Sequence, residues 1–137
     1  RLSLYTRLDN CEDEEHLQAF HTEMIDRFGP IPNEVEDLFT TVRSRWLGVV
    51  LGFEKMTLKD NVMRCYFVNK NDSPYFESST FKNILSYLQT GTNKAKLKQV
   101  AKNFLLVVED IKGMKEMQLF LSRMHKAILP PPIVEVV

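Results

Sequence analysis

Apolar positions along this chain recur with two different periods, and the changes of period mark its elements. Leu4 and Leu8 share one face of a short helix over residues 3–9, behind Ser3, which can cap its start. A longer helix is predicted from Cys11 or Asp13 to Phe28, because Leu17, Phe20, Met24 and Phe28 recur at helical spacing. Gly29 follows at the position where a left-handed residue suits glycine, and Pro30 and Pro32 stop the helix. Asn33 reads as the N-cap of a third helix, with Glu36 three residues on in capping-box order. Val35, Leu38, Phe39, Val42, Trp46, Val49 and Val50 give that helix a wide apolar stripe, and Gly52 ends it.

The period then drops to two. Met56 and Leu58 alternate with Thr57 and Lys59; Met63, Cys65 and Phe67 alternate with Arg64, Tyr66 and Val68. With Asp60-Asn61 between them, these predict a hairpin of residues 53–59 and 62–69. A fourth helix reaches Thr90, starting at Ser79 or earlier at Ser73-Pro74, with Phe81, Ile84, Leu85 and Leu88 inward. Residues 95–101 and 104–110 predict a second hairpin around Lys102-Asn103. A last amphipathic helix, Met114–Ile128, turns Met117, Phe120, Leu121 and Met124 inward. The order ααα-ββ-α-ββ-α predicts an α+β domain, helices packed on a small antiparallel sheet, over residues 1–129. Residues 130–137, opening Pro130-Pro131-Pro132, read as an extended, disordered tail.

Composition narrows the function. A chain of 137 residues, 44% of them apolar, is the size of one domain and can bury a core without staples. Lys plus Arg equals Asp plus Glu at 18 each, so no net positive charge marks a dedicated polyanion binder. Cys11 and Cys65 make neither a disulfide framework nor a zinc site, and read as reduced thiols of a cytoplasmic protein. No membrane span and no signal peptide are expected. The first residue is Arg1 rather than Met, which reads as a piece cut from a longer chain.

No catalytic residue, metal site or cofactor site emerges. The five glycines form no phosphate loop. His16 and His21 stand five apart, about 140° around a helix, so they cannot share a metal; His125 stands alone. Lys94, Lys96, Lys98 and Lys102, with Arg64 or Tyr66 nearby, form a basic strand. It reads as an accessory nucleic-acid contact or as an edge strand guarded by lysines. The second reading is preferred, since no arginine cluster or aromatic series accompanies it.

The second helix carries the distinctive pattern. Glu12, Glu15, Ala19, Glu23 and Asp26 follow one another at spacings of three, four, four and three, opposite the apolar face. Acids in the first turn suit the helix dipole; Glu23 and Asp26, near its C-terminal end, do not. Ala19 would let a partner approach closely. A solvated acidic face and a partner site both fit.

Residues 23–32 read Glu-Met-Ile-Asp-Arg-Phe-Gly-Pro-Ile-Pro, after Arg1-Leu2-Ser3-Leu4-Tyr5 and Arg7 and before Leu51-Gly52. This resembles the C-terminal domain of the bacterial transcription-repair coupling factors. The likeness is specific over about residues 1–55; beyond them only the order of elements agrees. It implies a non-catalytic regulatory domain of a DNA translocase that removes stalled RNA polymerase and recruits UvrA in nucleotide excision repair. ATP and Mg would belong to the parent's translocase module. The domain would pack, as a monomer, on the UvrB-like N-terminal module of the same chain and mask its UvrA-binding surface. Carried over, the interface acids are Glu23 and Asp26, with Glu15 and Ala19 on the same face; Arg27, Phe28, Gly29 and Pro30 would fix the helix end. Direct DNA contact by this domain is not expected.

Overall fold

The computed structural model describes residues 3–90 and 94–129. The expected tail, the predicted stop at Gly91 and the first two residues of the Arg1–Arg7 pattern lie outside them. Helix α1 (Leu4–Asp9) starts at Ser3, whose Oγ accepts from the Thr6 amide. Helix α2 (Glu14–Phe28) starts at Asp13, whose carboxylate accepts from the His16 amide. Glu12 therefore precedes the helix and leaves the predicted stripe: the Asp13 cap fixes the start two residues after it. Gly29 has a positive φ of 80°, with ψ at −157° rather than in the left-handed helical region.

Helix α3 (Asn33–Leu51) departs from expectation at both ends. Pro32, not Asn33, is its N-cap, and its carbonyl accepts from the amides of Val35 and Glu36. The Glu36 carboxylate is committed elsewhere, to His21 Nε2. Val49 and Val50 are exposed, although the stripe predicted them inward. The face that is buried runs through Thr40, Ser44, Gly48 and Leu51. Small residues let this face approach its neighbours closely: a Cβ on Gly48 would press on the Met56 thioether. A reading weighted by hydrophobicity passes over Ser and Gly.

Strands β1 (Phe53–Lys59) and β2 (Val62–Phe67) form the first hairpin, turning through Asp60 and Asn61, both at positive φ. A 3₁₀ turn at Pro74–Glu77 precedes helix α4 (Ser79–Leu88), each with its own serine cap. Strands β3 (Ala95–Val100) and β4 (Asn103–Val108) make the second hairpin. Its turn is Ala101-Lys102, one residue earlier than predicted, with Ala101 at φ 56°. Helix α5 (Met114–Ile128) closes the fold. The architecture is α+β in the predicted order.

The sheet is antiparallel in the order β1-β2-β4-β3. One face carries Cys65, Phe67, Leu106 and Val108 against Leu51, Ile84, Met117, Leu121 and Met124 of α3, α4 and α5. A second, smaller cluster joins Leu8, Leu17, Phe20, Phe39 and Val42 of α1, α2 and α3. Gly52 links α3 to the sheet in a left-handed conformation, φ 95°. Tyr75 stacks over that corner and donates its hydroxyl to the Leu51 carbonyl at 2.6 Å.

Candidate functional site

Helix α2 places Glu15, Ala19 and Asp26 on its solvent face, all exposed. Glu23 sits at the edge of that stripe nearest α1, because helical rotation carries it beside Phe20. There it meets Arg7. The Arg7 guanidinium carbon lies 4.3 Å above the Phe20 ring, and its Nη1 is 2.7 Å from Glu23 Oε2. That hydrogen bond holds the Glu23 carboxyl below its ordinary pKa. Asp26 makes no hydrogen bond or ion pair among the described residues.

The apolar side of α2 outruns the core. Leu17 and Phe20 are buried, Met24 is half-buried, and Phe28, predicted inward, is 73% exposed. The cluster beneath ends one turn earlier, so the last helical residue overhangs it. The Arg27 guanidinium carbon lies 5.6 Å from the Phe28 ring centre. Leu4, Met24, Phe28 and the Arg7–Glu23 pair thus border an open groove of about 450 Å³. An apolar floor beside a polar, charged rim is the anatomy of a protein-docking patch.

The acids nearer the start of α2 serve the fold. Glu14 takes a bidentate hydrogen bond from Arg43 of α3, both contacts at 2.8 Å. His16 lies 3.3 Å from Asp13, whereas His21 bonds Glu36 and meets the Phe39 ring edge-on at 5.0 Å, so the two histidines serve different neighbours. No group of metal-binding side chains forms among the described residues. No described helix is long and apolar enough to cross a membrane.

The basic strand divides. Lys94 pairs with Asp110 at 2.6 Å, and Lys102 sits in the hairpin turn. Lys96 and Lys98 remain on the sheet face that no described helix covers.

A family model described as the TRCF domain matches residues 1–78. This chain belongs to the TRCF domain family. Its curated relatives include the transcription-repair-coupling factors of Rickettsia bellii (strain RML369-C) and Rickettsia conorii (strain ATCC VR-613 / Malish 7). Each is 33% identical over 98 residues, covering 72% of this chain. The chain spans 8% of the length of those relatives. A crystal structure of the C-terminal domain of a transcription-repair coupling factor shares the fold, with a TM-score of 0.66 at 16% identity. That match covers 90% of this chain and 78% of the solved one.

In this TRCF domain, the segment Glu23–Pro30 is the end of α2 and its exit. Gly29 donates its amide to the Ile25 carbonyl at 2.8 Å, and Pro30 continues the chain away from the helix. Reading the sequence misses Arg7 as the neighbour of Glu23, since no local pattern joins residues sixteen apart. A signal for the exposed Phe28 is present: an aromatic last residue before Gly-Pro has little helix left to pack against.

Proposed function

We propose that this chain is the non-catalytic regulatory domain of a transcription-repair coupling factor. In that reading the α2 face around Glu23 and Asp26 packs on the UvrB-like N-terminal module of the same protein and masks its UvrA-binding surface. The parent would be a cytoplasmic, ATP- and Mg-dependent DNA translocase that displaces stalled RNA polymerase. The observation that carries the proposal is the overhang of α2, which leaves Phe28 exposed on one groove with Glu23, while Asp26, exposed on the other side of the helix, has no ion pair among the described residues. An apolar anchor that shares its groove with a carboxylate fits a partner surface with an arginine beside an apolar pocket, since arginine pairs with carboxylates bidentately.

A modest contact suffices within one chain. Tethering gives an effective concentration of about 1 mM, so a contact with Kd of about 1 mM is closed half the time and one of about 10 µM about 99% of the time. UvrA or polymerase would release it by favouring the open state.

The test is Glu23→Arg with Asp26→Arg in the full-length factor. Higher UvrA affinity and higher DNA-stimulated ATPase activity are expected. Unchanged UvrA affinity in a correctly folded double variant overturns the masking role. Phe28→Ser, at an exposed position, should release the contact in the same direction without unfolding the domain.

A further inference from the structure

Among the described residues no helix packs on one face of the sheet, and the strand register determines what stands on it. Opposed residues point to the same side of an antiparallel sheet. One row across all four strands reads Lys55, Tyr66, Leu105 and Lys98. The next reads Thr57, Arg64, Val107 and Lys96. Lys59 stands opposite Val62 beyond them. Three strands therefore bring five cations, Lys55, Lys59, Arg64, Lys96 and Lys98, to one surface.

No acidic residue occupies a paired position on that face. Glu54, displaced at the bulge in β1, lines the cavity beside α3, and Glu109 lies past the end of β4. None of the five cations is in an ion pair among the described residues, whereas Lys94 and Lys112 both have Asp110 as partner. Leu105 and Val107 are buried on this face although no described helix covers it, 3% and 8% exposed. Tyr66 is half-buried on the same face, with the Lys55 ammonium 5.4 Å from its ring centre.

We infer that this face binds a single strand of nucleic acid along its phosphates. Charge complementarity selects a polyanion. The strand spacing of about 4.8 Å sets Lys55 and Lys98 about 14 Å apart across each row, the reach of several consecutive phosphates. An open four-stranded sheet face can lie along an extended strand, and Tyr66 offers one base a ring to stack on. A zero net charge does not oppose this, because half of the eighteen acids stand between residues 12 and 37, at α2 and the start of α3. The face is distinct from the α2 groove, so the inference stands apart from the proposed masking role.

The test is fluorescence anisotropy of a labelled single-stranded 20-mer with the 137-residue chain, titrated between 50 and 200 mM salt. Neutralising five phosphates gives a log–log slope of about −3.5, a loss of affinity of about 100-fold over that range. Lys96→Glu with Lys98→Glu, both exposed positions, should weaken binding at least tenfold at 50 mM salt and leave the circular dichroism unchanged. A duplex of the same sequence should bind more weakly, and Tyr66→Leu should narrow that difference. No binding at 50 mM salt, retained affinity in the double variant, or competition by polyglutamate as strong as by the oligonucleotide overturns the inference. So does a duplex preference.

Discussion

Arg7 and Glu23, sixteen residues apart, meet across the ring of Phe20, with Nη1 2.7 Å from Oε2. The pair joins α1 to the far end of α2 at the point where the apolar face of α2 begins to overhang. Glu23 therefore has a partner inside the domain already. An arginine on a docking partner would compete with Arg7 or share the carboxylate, which has a second oxygen free for it. Among the described residues, Asp26 has no such competitor.

The Glu23 carboxyl titrates below its ordinary value because Arg7 hydrogen-bonds its ionised form. A depressed pKa in the folded state adds stability above the unfolded value near 4.5, and that stability is lost as pH falls through the folded value. Carbon-detected NMR should find Glu23 titrating below the ordinary glutamate value. In Arg7→Ala it should return toward that value. An unmoved Glu23 midpoint in that variant would remove the pairing.

Two glycines of one helix end should respond differently to alanine. At Gly52 the positive φ and the Tyr75 ring both oppose a side chain. Gly52→Ala should lower stability by about 2–4 kcal/mol by urea denaturation, through backbone strain and displacement of the Tyr75–Leu51 bond. At Gly48 a new methyl meets only the flexible end of Met56. The gain in helix propensity, about 1 kcal/mol, offsets that shift, so Gly48→Ala should stay within about 1 kcal/mol of the parent.

Ser44 is 1% exposed and its hydroxyl finds no partner among the described residues. Removing an unsatisfied buried hydroxyl from a helix relieves a desolvation cost and improves propensity. Ser44→Ala should raise stability by about 1 kcal/mol. A destabilised variant would mean that the hydroxyl is hydrogen-bonded in solution.

Burial pushes the Cys65 thiol up to about 12 from an ordinary 9.0, and burial likewise raises the Tyr75 phenol. Both ionise more readily in the unfolded chain. Stability is therefore complete below about pH 9 and falls as pH rises from 9 toward 12. Cys65 should react with a disulfide reagent only at the rate of unfolding. Cys11 is half-buried, donates to the Arg7 carbonyl at 3.4 Å, and should react first.

Local patterns carried much of this fold. Ser3, Asp13 and Gly52 mark element ends by hydrogen bonds or backbone angles that a few residues decide; Ser3 and Gly52 stand where the pattern placed them, and Asp13 caps a helix whose start the pattern left between Cys11 and Asp13. The period of two located the first hairpin, and the turn expected around Lys102-Asn103 located the second to within one residue. The misses share another origin. Val49 and Val50 are apolar yet exposed, while Ser44 and Gly48 are small and buried, because α3 meets its neighbours there at a distance set by side-chain size. Phe28 has the right helical phase but nothing beneath it. The acids of α2 were visible as a stripe; that Glu23 faces Arg7 and Glu14 faces Arg43 depends on how separate helices pack. The five cations of the bare face lie on three strands, and only their register brings them together.

The two apolar clusters touch the same helix but different neighbours: the sheet cluster takes Leu47 and Leu51, the smaller one Val35, Leu38, Phe39 and Val42. Helix α3 is thus a spine with a seam along it. The α1–α2 pair can peel from that spine as one cooperative unit while the sheet, α4 and α5 stay folded. Amides of α2 should therefore exchange with solvent through a cheaper opening than those of β2 and β4. A partner gripping the end of α2 would be pulling on the part of the molecule that yields first.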